Sequence, residues 1–106
     1  MWTKIEGSNY LFLFDVDDFR IFPKGINGTV PVTIKRRQFF LKHAVTGEVI
    51  EFRFYLHQKR WYWSDSRQGA GNCGENHAIG EIARLLFKRD VNKARDLVHK
   101  SVMSAM

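Results

Sequence analysis

The chain has 106 residues, 44% of them apolar and 14% aromatic, which suits one domain with a core and excludes a disordered polymer. No apolar run approaches the roughly 20 residues of a membrane span, and a single cysteine, Cys73, excludes an intrachain disulfide. The net charge of +6 points to an anionic partner, nucleic acid first among them.

The start, Met1-Trp2-Thr3-Lys4-Ile5-Glu6, has no apolar segment after a basic one, so no signal peptide is predicted. With one cysteine, this favours a reducing, cytoplasmic setting. Residues 9–14, Asn-Tyr-Leu-Phe-Leu-Phe, are a short aromatic-rich apolar run and predict a buried strand. Residues 15–29 hold three Asp, Pro23, Gly25 and Gly28. They read as a loop, with a short strand at most around Arg20-Ile21-Phe22. Within them, Asn27-Gly28-Thr29 fits a glycosylation sequon but reads as a turn.

The middle of the chain is the most regular. Residues 48–56 alternate, with Ile50, Phe52, Phe54 and Leu56 on one face and Val49, Glu51, Arg53 and Tyr55 on the other. A two-residue turn at Thr46-Gly47 would set His43 against Ile50, Leu41 against Phe52 and Phe39 against Phe54. On the reverse face, Lys42 would then meet Glu51, Phe40 Arg53 and Gln38 Tyr55. A second turn within His57-Gln58-Lys59-Arg60 pairs Leu56 with Trp61, Phe54 with Trp63 and Tyr55 with Tyr62. After the loop from Ser64 to Gly74, Ile79, Ile82, Ala83 and Leu86 predict a helix from about Glu75 to Arg89, with Lys88 and Arg89 in its last turn. Asp90 can cap a second helix striped by Val91, Ala94, Leu97, Val98 and Val102. The sequence leaves open whether this is a separate helix or a kinked continuation.

Charge is not spread evenly. Residues 30–64 carry seven basic residues against Glu48 and Glu51, whereas residues 1–29 carry three against four acids. The alternation puts Arg36, Gln38, Phe40, Arg53, Tyr55, His57, Arg60 and Tyr62 on the face opposite Phe39, Leu41, Phe52, Phe54, Leu56, Trp61 and Trp63. If the helices cover the apolar face, aromatics interleaved with arginines are left outward, the residue types that stack on bases and neutralise phosphates.

Three other patterns carry weaker chemistry. Gly69-Ala70-Gly71-Asn72-Cys73-Gly74 has the spacing of a phosphate-cradling loop before a helix, but no second parallel strand follows to build a dinucleotide site. A contact with a nucleic-acid backbone, helped by Arg67 and Gln68, is the reading left to it, beside that of a plain connecting loop. Cys73 and His77 have the spacing of two zinc ligands or of a thiol and its base; no second ligand pair exists. Asp15-Val16-Asp17-Asp18 at a strand end could hold Mg²⁺. It resembles the first motif of haloacid dehalogenase-like phosphatases, whose parallel α/β sheet this element order cannot build.

The expectation is therefore one α+β domain over residues 1–106, strand-rich over residues 1–64, with a glycine-rich loop at residues 65–74 and helices over residues 75–106. An antiparallel meander of three to four strands is packed on one face by one or two C-terminal helices. That order is similar to that of small DNA-binding domains that read DNA with a three-stranded sheet, and to the double-stranded RNA-binding fold without its first helix, a likeness of element order alone. The expected function is non-catalytic binding of DNA or RNA through Arg36, Arg37, Gln38, Phe40, Arg53, Tyr55, His57, Lys59, Arg60, Tyr62 and Arg67. The alternative is an adaptor or inhibitor that meets an acidic protein surface with the same residues. No cofactor, metal or membrane is implied.

Overall fold

The structure is a computed structural model that describes residues 1–21, 32–68 and 73–104. Five strands, β1 (Thr3–Lys4), β2 (Tyr10–Ile21), β3 (Val32–His43), β4 (Val49–His57) and β5 (Arg60–Asp65), precede two helices, α1 (Glu75–Leu86) and α2 (Val91–Ser104). The strands form one antiparallel sheet in chain order, a meander. The turn anticipated at Asn27-Gly28-Thr29 and residues 69–72 of the glycine-rich loop lie outside the described residues.

The largest departure from the sequence reading is β2. It does not stop at Phe14; it continues through the three aspartates to Ile21, paired throughout with β3. The partner explains this. Asp15, Asp17 and Asp18 lie opposite Gln38, Arg36 and Lys35, so polar and opposite-charge neighbours across the strand, with an ion pair at Asp17–Arg36, support residues with poor strand propensity. On the other edge of β2, the Asp15 carboxylate accepts a hydrogen bond from the Val16 backbone N–H at 2.8 Å. Such acidic side chains blunt an edge that could recruit another strand.

The β3–β4 register also differs from that of a two-residue turn. Leu41 pairs with Ile50, Phe39 with Phe52 and Gln38 with Arg53, two residues removed from the expected partners. The cause is a wider turn held by His43. Its Nδ1 accepts from the backbone N–H of Val45 and Thr46, and its backbone N–H donates to the Glu48 carbonyl at 2.8 Å. Gly47 closes the turn at φ +76°. Because side chains alternate with period two, a slip of two changes partners but not faces. Lys42 consequently meets Val49, and Glu51 pairs with Arg53 of its own strand at 2.7 Å.

The β4–β5 hairpin has the expected register, with Tyr55 opposite Tyr62 and Phe54 opposite Trp63. Its turn residues, Gln58 and Lys59, hold φ of +49° and +65°, a left-handed pair that glycine or asparagine would favour. Lys59→Gly is accordingly expected to stabilise the chain by about 0.5–1 kcal/mol, read as a higher urea midpoint at unchanged slope.

One sheet face is the core. Phe12, Phe39, Leu41, Ile50, Phe52, Phe54 and Trp63 pack against Ala78, Ile79, Ile82, Ala83 and Leu86 of α1 and Ala94 and Val98 of α2. The helices are separate: Lys88 and Arg89 adopt positive φ after Leu86, so they break the helix and do not complete its last turn. Asp90 caps α2, its Oδ1 accepting from the Lys93 N–H at 3.2 Å. The sheet outruns its helical cover. Leu56 and Trp61, on the core face but near the β4–β5 turn, remain about half exposed, and the molecule measures 52 × 26 × 24 Å. No helix among the described residues is long and apolar enough to cross a membrane.

Candidate nucleic-acid interface

Strand alternation sends the expected residues outward. Arg36, Gln38 and Phe40 of β3, Arg53, Tyr55 and His57 of β4, and Arg60 and Tyr62 of β5 share the face opposite the helices. Among the described residues no element packs over this face, and Tyr55 and Tyr62 are half-buried, with each other and Phe19 as ring neighbours. Lys59 sits at the tip of the β4–β5 turn.

The aromatic side chains make a row. Tyr55 and Tyr62 stack with centroids 5.1 Å apart and planes at 13°. Phe19 from β2 meets Tyr55 edge-on at 5.0 Å, and the Arg36 guanidinium lies over the Phe19 ring at 5.0 Å. With Arg53 and Ser64 these residues line a cleft of about 520 Å³. That lies within the roughly 300–1,000 Å³ typical of small-ligand sites. A second cluster lies about 13 Å further along β3, the length of four extended residues. There Trp2 packs edge-on against Phe40 at 6.5 Å, and the Lys42 ammonium lies 5.7 Å from the Trp2 ring centre.

Electrostatics on this face differ from the expectation of a purely basic surface. Because β2 extends across the sheet, Asp17 lands beside Arg36 and accepts two hydrogen bonds from it, at 2.9 and 2.5 Å. Arg36, helped by Gln38 and Arg53, holds the Asp17 carboxyl below the ordinary carboxylate range. Arg53 is likewise engaged by Glu51. Among the described residues, Arg60, Lys42 and Lys4, which pairs through Leu11 with Lys42, are the lysines and arginines of this face without a carboxylate partner.

Two expected residues do not join the face. Arg37 alternates to the core side, where its guanidinium lies 5.8 Å from the centre of the Phe54 ring. Arg67 is committed to a structural clasp after β5. Its Nε and Nη2 donate to the Asp65 carboxylate at 3.0 and 2.8 Å, Nη2 also reaches Glu81 of α1, and the guanidinium covers Phe52. Trp2, Asp17 and Phe19 are residues that sequence reasoning left off the face, and Lys42, which it placed there, was not counted among the binding residues. The period-two spacing of Leu11, Leu13, Asp15, Asp17 and Phe19 was the available signal.

The other chemical patterns resolve as follows. Asp15 and Asp17 point to one side of β2 and Asp18 to the other, so the three do not converge on one ion. No group of three potential ligands is present among the described residues. His77 directs Nε2 at the Asp65 carboxylate, 2.8 Å away, and burial together with the Asp65 charge pushes the Cys73 thiol up. Both arrangements work against a thiolate activated by His77. In comparisons with family models, curated proteins and solved structures, the chain matches none.

Proposed function

We propose that this chain is a non-catalytic nucleic-acid-binding protein that uses the outer sheet face. The observation that carries the reading is the Phe19–Tyr55–Tyr62 row beside Arg36, Arg53 and Arg60, on a face that the helices leave uncovered. Rings of this kind accept bases on their π-faces, and guanidinium groups meet the flanking phosphates or stack in turn. Binding of short DNA and RNA probes at low salt tests it. Measurable binding is expected, with weakening on Arg60→Ala, since its guanidinium has no carboxylate to release first.

One observation favours a second reading. A face on which Arg36 and Arg53 already have carboxylate partners, interleaved with Tyr, is also what a protein interface presents. An adaptor or inhibitor that binds an acidic protein surface is that alternative. Failure of every nucleic-acid probe at low salt would give the face to it.

A further inference from the structure

We infer that the outer face selects single strands, with base stacking on Tyr62 rather than phosphate neutralisation as the main source of affinity; this rests on the nucleic-acid reading above. Three observations lead there. The first is the charge balance. Of the five lysines and arginines on the face, Arg36 and Arg53 are held by Asp17 and Glu51, leaving Arg60 at one end and Lys4 and Lys42 at the other. Duplex binding without base contacts depends on many phosphate contacts, each releasing counterions, and three cations split between two ends of the face supply few.

The second is the order of the rings. Phe19 has Arg36 over it, and Tyr55 is contacted by both Phe19 and Tyr62. Tyr62 stands at the β5 end of the row and, among the described residues, has Tyr55 as its one ring partner. A base laid on its other side continues the stack. Tyr55 and Phe19 then act as positioning residues that hold the Tyr62 ring at a fixed tilt.

The third is placement. β5 is the last strand of the sheet, so this end of the row lies at the sheet's margin. Arg60 lies two residues along the same strand face, about 7 Å from Tyr62, and Arg53 is on the neighbouring strand opposite Ser64. A base on Tyr62 thus has the unpaired Arg60 on one side for an adjoining phosphate, while Arg53 on the other is engaged by Glu51. Bases inside a duplex already stack on one another. Freeing one costs on the order of a hundredfold in binding constant, whereas a single strand offers its base faces directly.

Oligothymidylate, oligouridylate and a mixed-sequence DNA duplex, compared by fluorescence anisotropy at two salt concentrations, decide the matter. Both single strands are expected to bind at least about tenfold more tightly than the duplex. The plot of log affinity against log salt should have a slope of about −1 to −2, the value for about two phosphate contacts on a single strand. Tyr62→Ala should lose about tenfold to a hundredfold, and Tyr62→Phe should restore binding, because the ring and not the hydroxyl makes the stack. Asp17→Asn, which releases Arg36, should steepen the slope by about 0.7. Equal or tighter duplex binding, or a Tyr62→Ala variant that binds like the parent, overturns the stacking inference while leaving nucleic-acid binding in place. No binding to any probe removes both.

Discussion

Phe39→Ala is expected to cost about 3–5 kcal/mol, a large fraction of the roughly 5–15 kcal/mol that holds a domain of this size together. Phe39 is fully buried at the centre of an aromatic layer. Its ring stacks on Phe54 at 5.6 Å and 6°, lies 6.4 Å from Trp63 at 10°, and meets Phe14 and Phe12 at 4.9 and 6.0 Å. Phe54 and Trp63 in turn stack at 4.2 Å. Truncation removes apolar burial and several ring contacts at once. The cavity cannot close easily, because rings on both neighbouring strands and on β5 beyond define its walls. At about 4–8 °C per kcal/mol, the melting temperature should fall by roughly 12–40 °C. A urea titration followed by tryptophan fluorescence is the measurement, with a lower midpoint expected, since Trp63 reports on this layer. Phe40→Ala is the control. It is the next residue, but it is half-buried on the outer face against Trp2, and about 1 kcal/mol or less is expected. Equal costs at the two positions would show that the assignment of faces is wrong.

Asp65→Ala is expected to be the most damaging polar substitution, at about 3 kcal/mol. Asp65 is 1% exposed and accepts four hydrogen bonds: from the Arg67 backbone N–H at 2.9 Å, from two Arg67 guanidinium nitrogens, and from His77 Nε2. It therefore ties the end of β5 to the following turn and to α1. Removing the carboxylate strands an arginine against the core; because Arg67 and His77 are each about a third exposed, the cost stays near the low end for broken buried pairs. Asp65→Asn keeps the shape and loses the charge, and about 2 kcal/mol is expected. The acid limb follows from the same contacts. Burial alone would raise the Asp65 carboxyl, but the Arg67 and His77 bonds outweigh it and hold the group well below the ordinary carboxylate range. A carboxylate depressed in the folded state contributes stability that is fully present above its unfolded value, about 3.9, and is lost as pH falls below it toward the folded value. Asp17 and Glu81, lowered by Arg36 and Arg84, act in the same direction but are more exposed and contribute less. Stability of the parent should thus decline from about pH 4 downward, and Asp65→Asn should start lower and decline less steeply. An identical acid limb in the two proteins would mean that the clasp contributes nothing to it.

Local pattern alone determined a good deal of this protein. Alternation over residues 48–63 assigned the side chains of β4, and of β5 as far as Trp63, to their faces, and the register of their hairpin followed from turn length; Ser64 and Asp65, read as loop, belong to β5. The helical spacing of Ile79, Ile82, Ala83 and Leu86 located α1, and Asp90 marked the start of α2. These features are legible because period and capping act over a few neighbouring residues. The tertiary structure decided what depends on partners distant in sequence. Asp15-Val16-Asp17-Asp18 is poor strand material by itself and becomes strand because Lys35, Arg36 and Gln38 lie across from it. The His43 side chain, by taking two turn amides, widened the β3–β4 turn and moved that register by two residues. Arg37 and Arg67 look like further members of a basic patch in sequence, yet one lies against Phe54 and the other is spent on Asp65. The charge of the outer face was decided in the same way. The excess that residues 30–64 carry in sequence is offset in space by Asp17, because strand pairing, and not proximity along the chain, sets which charges meet.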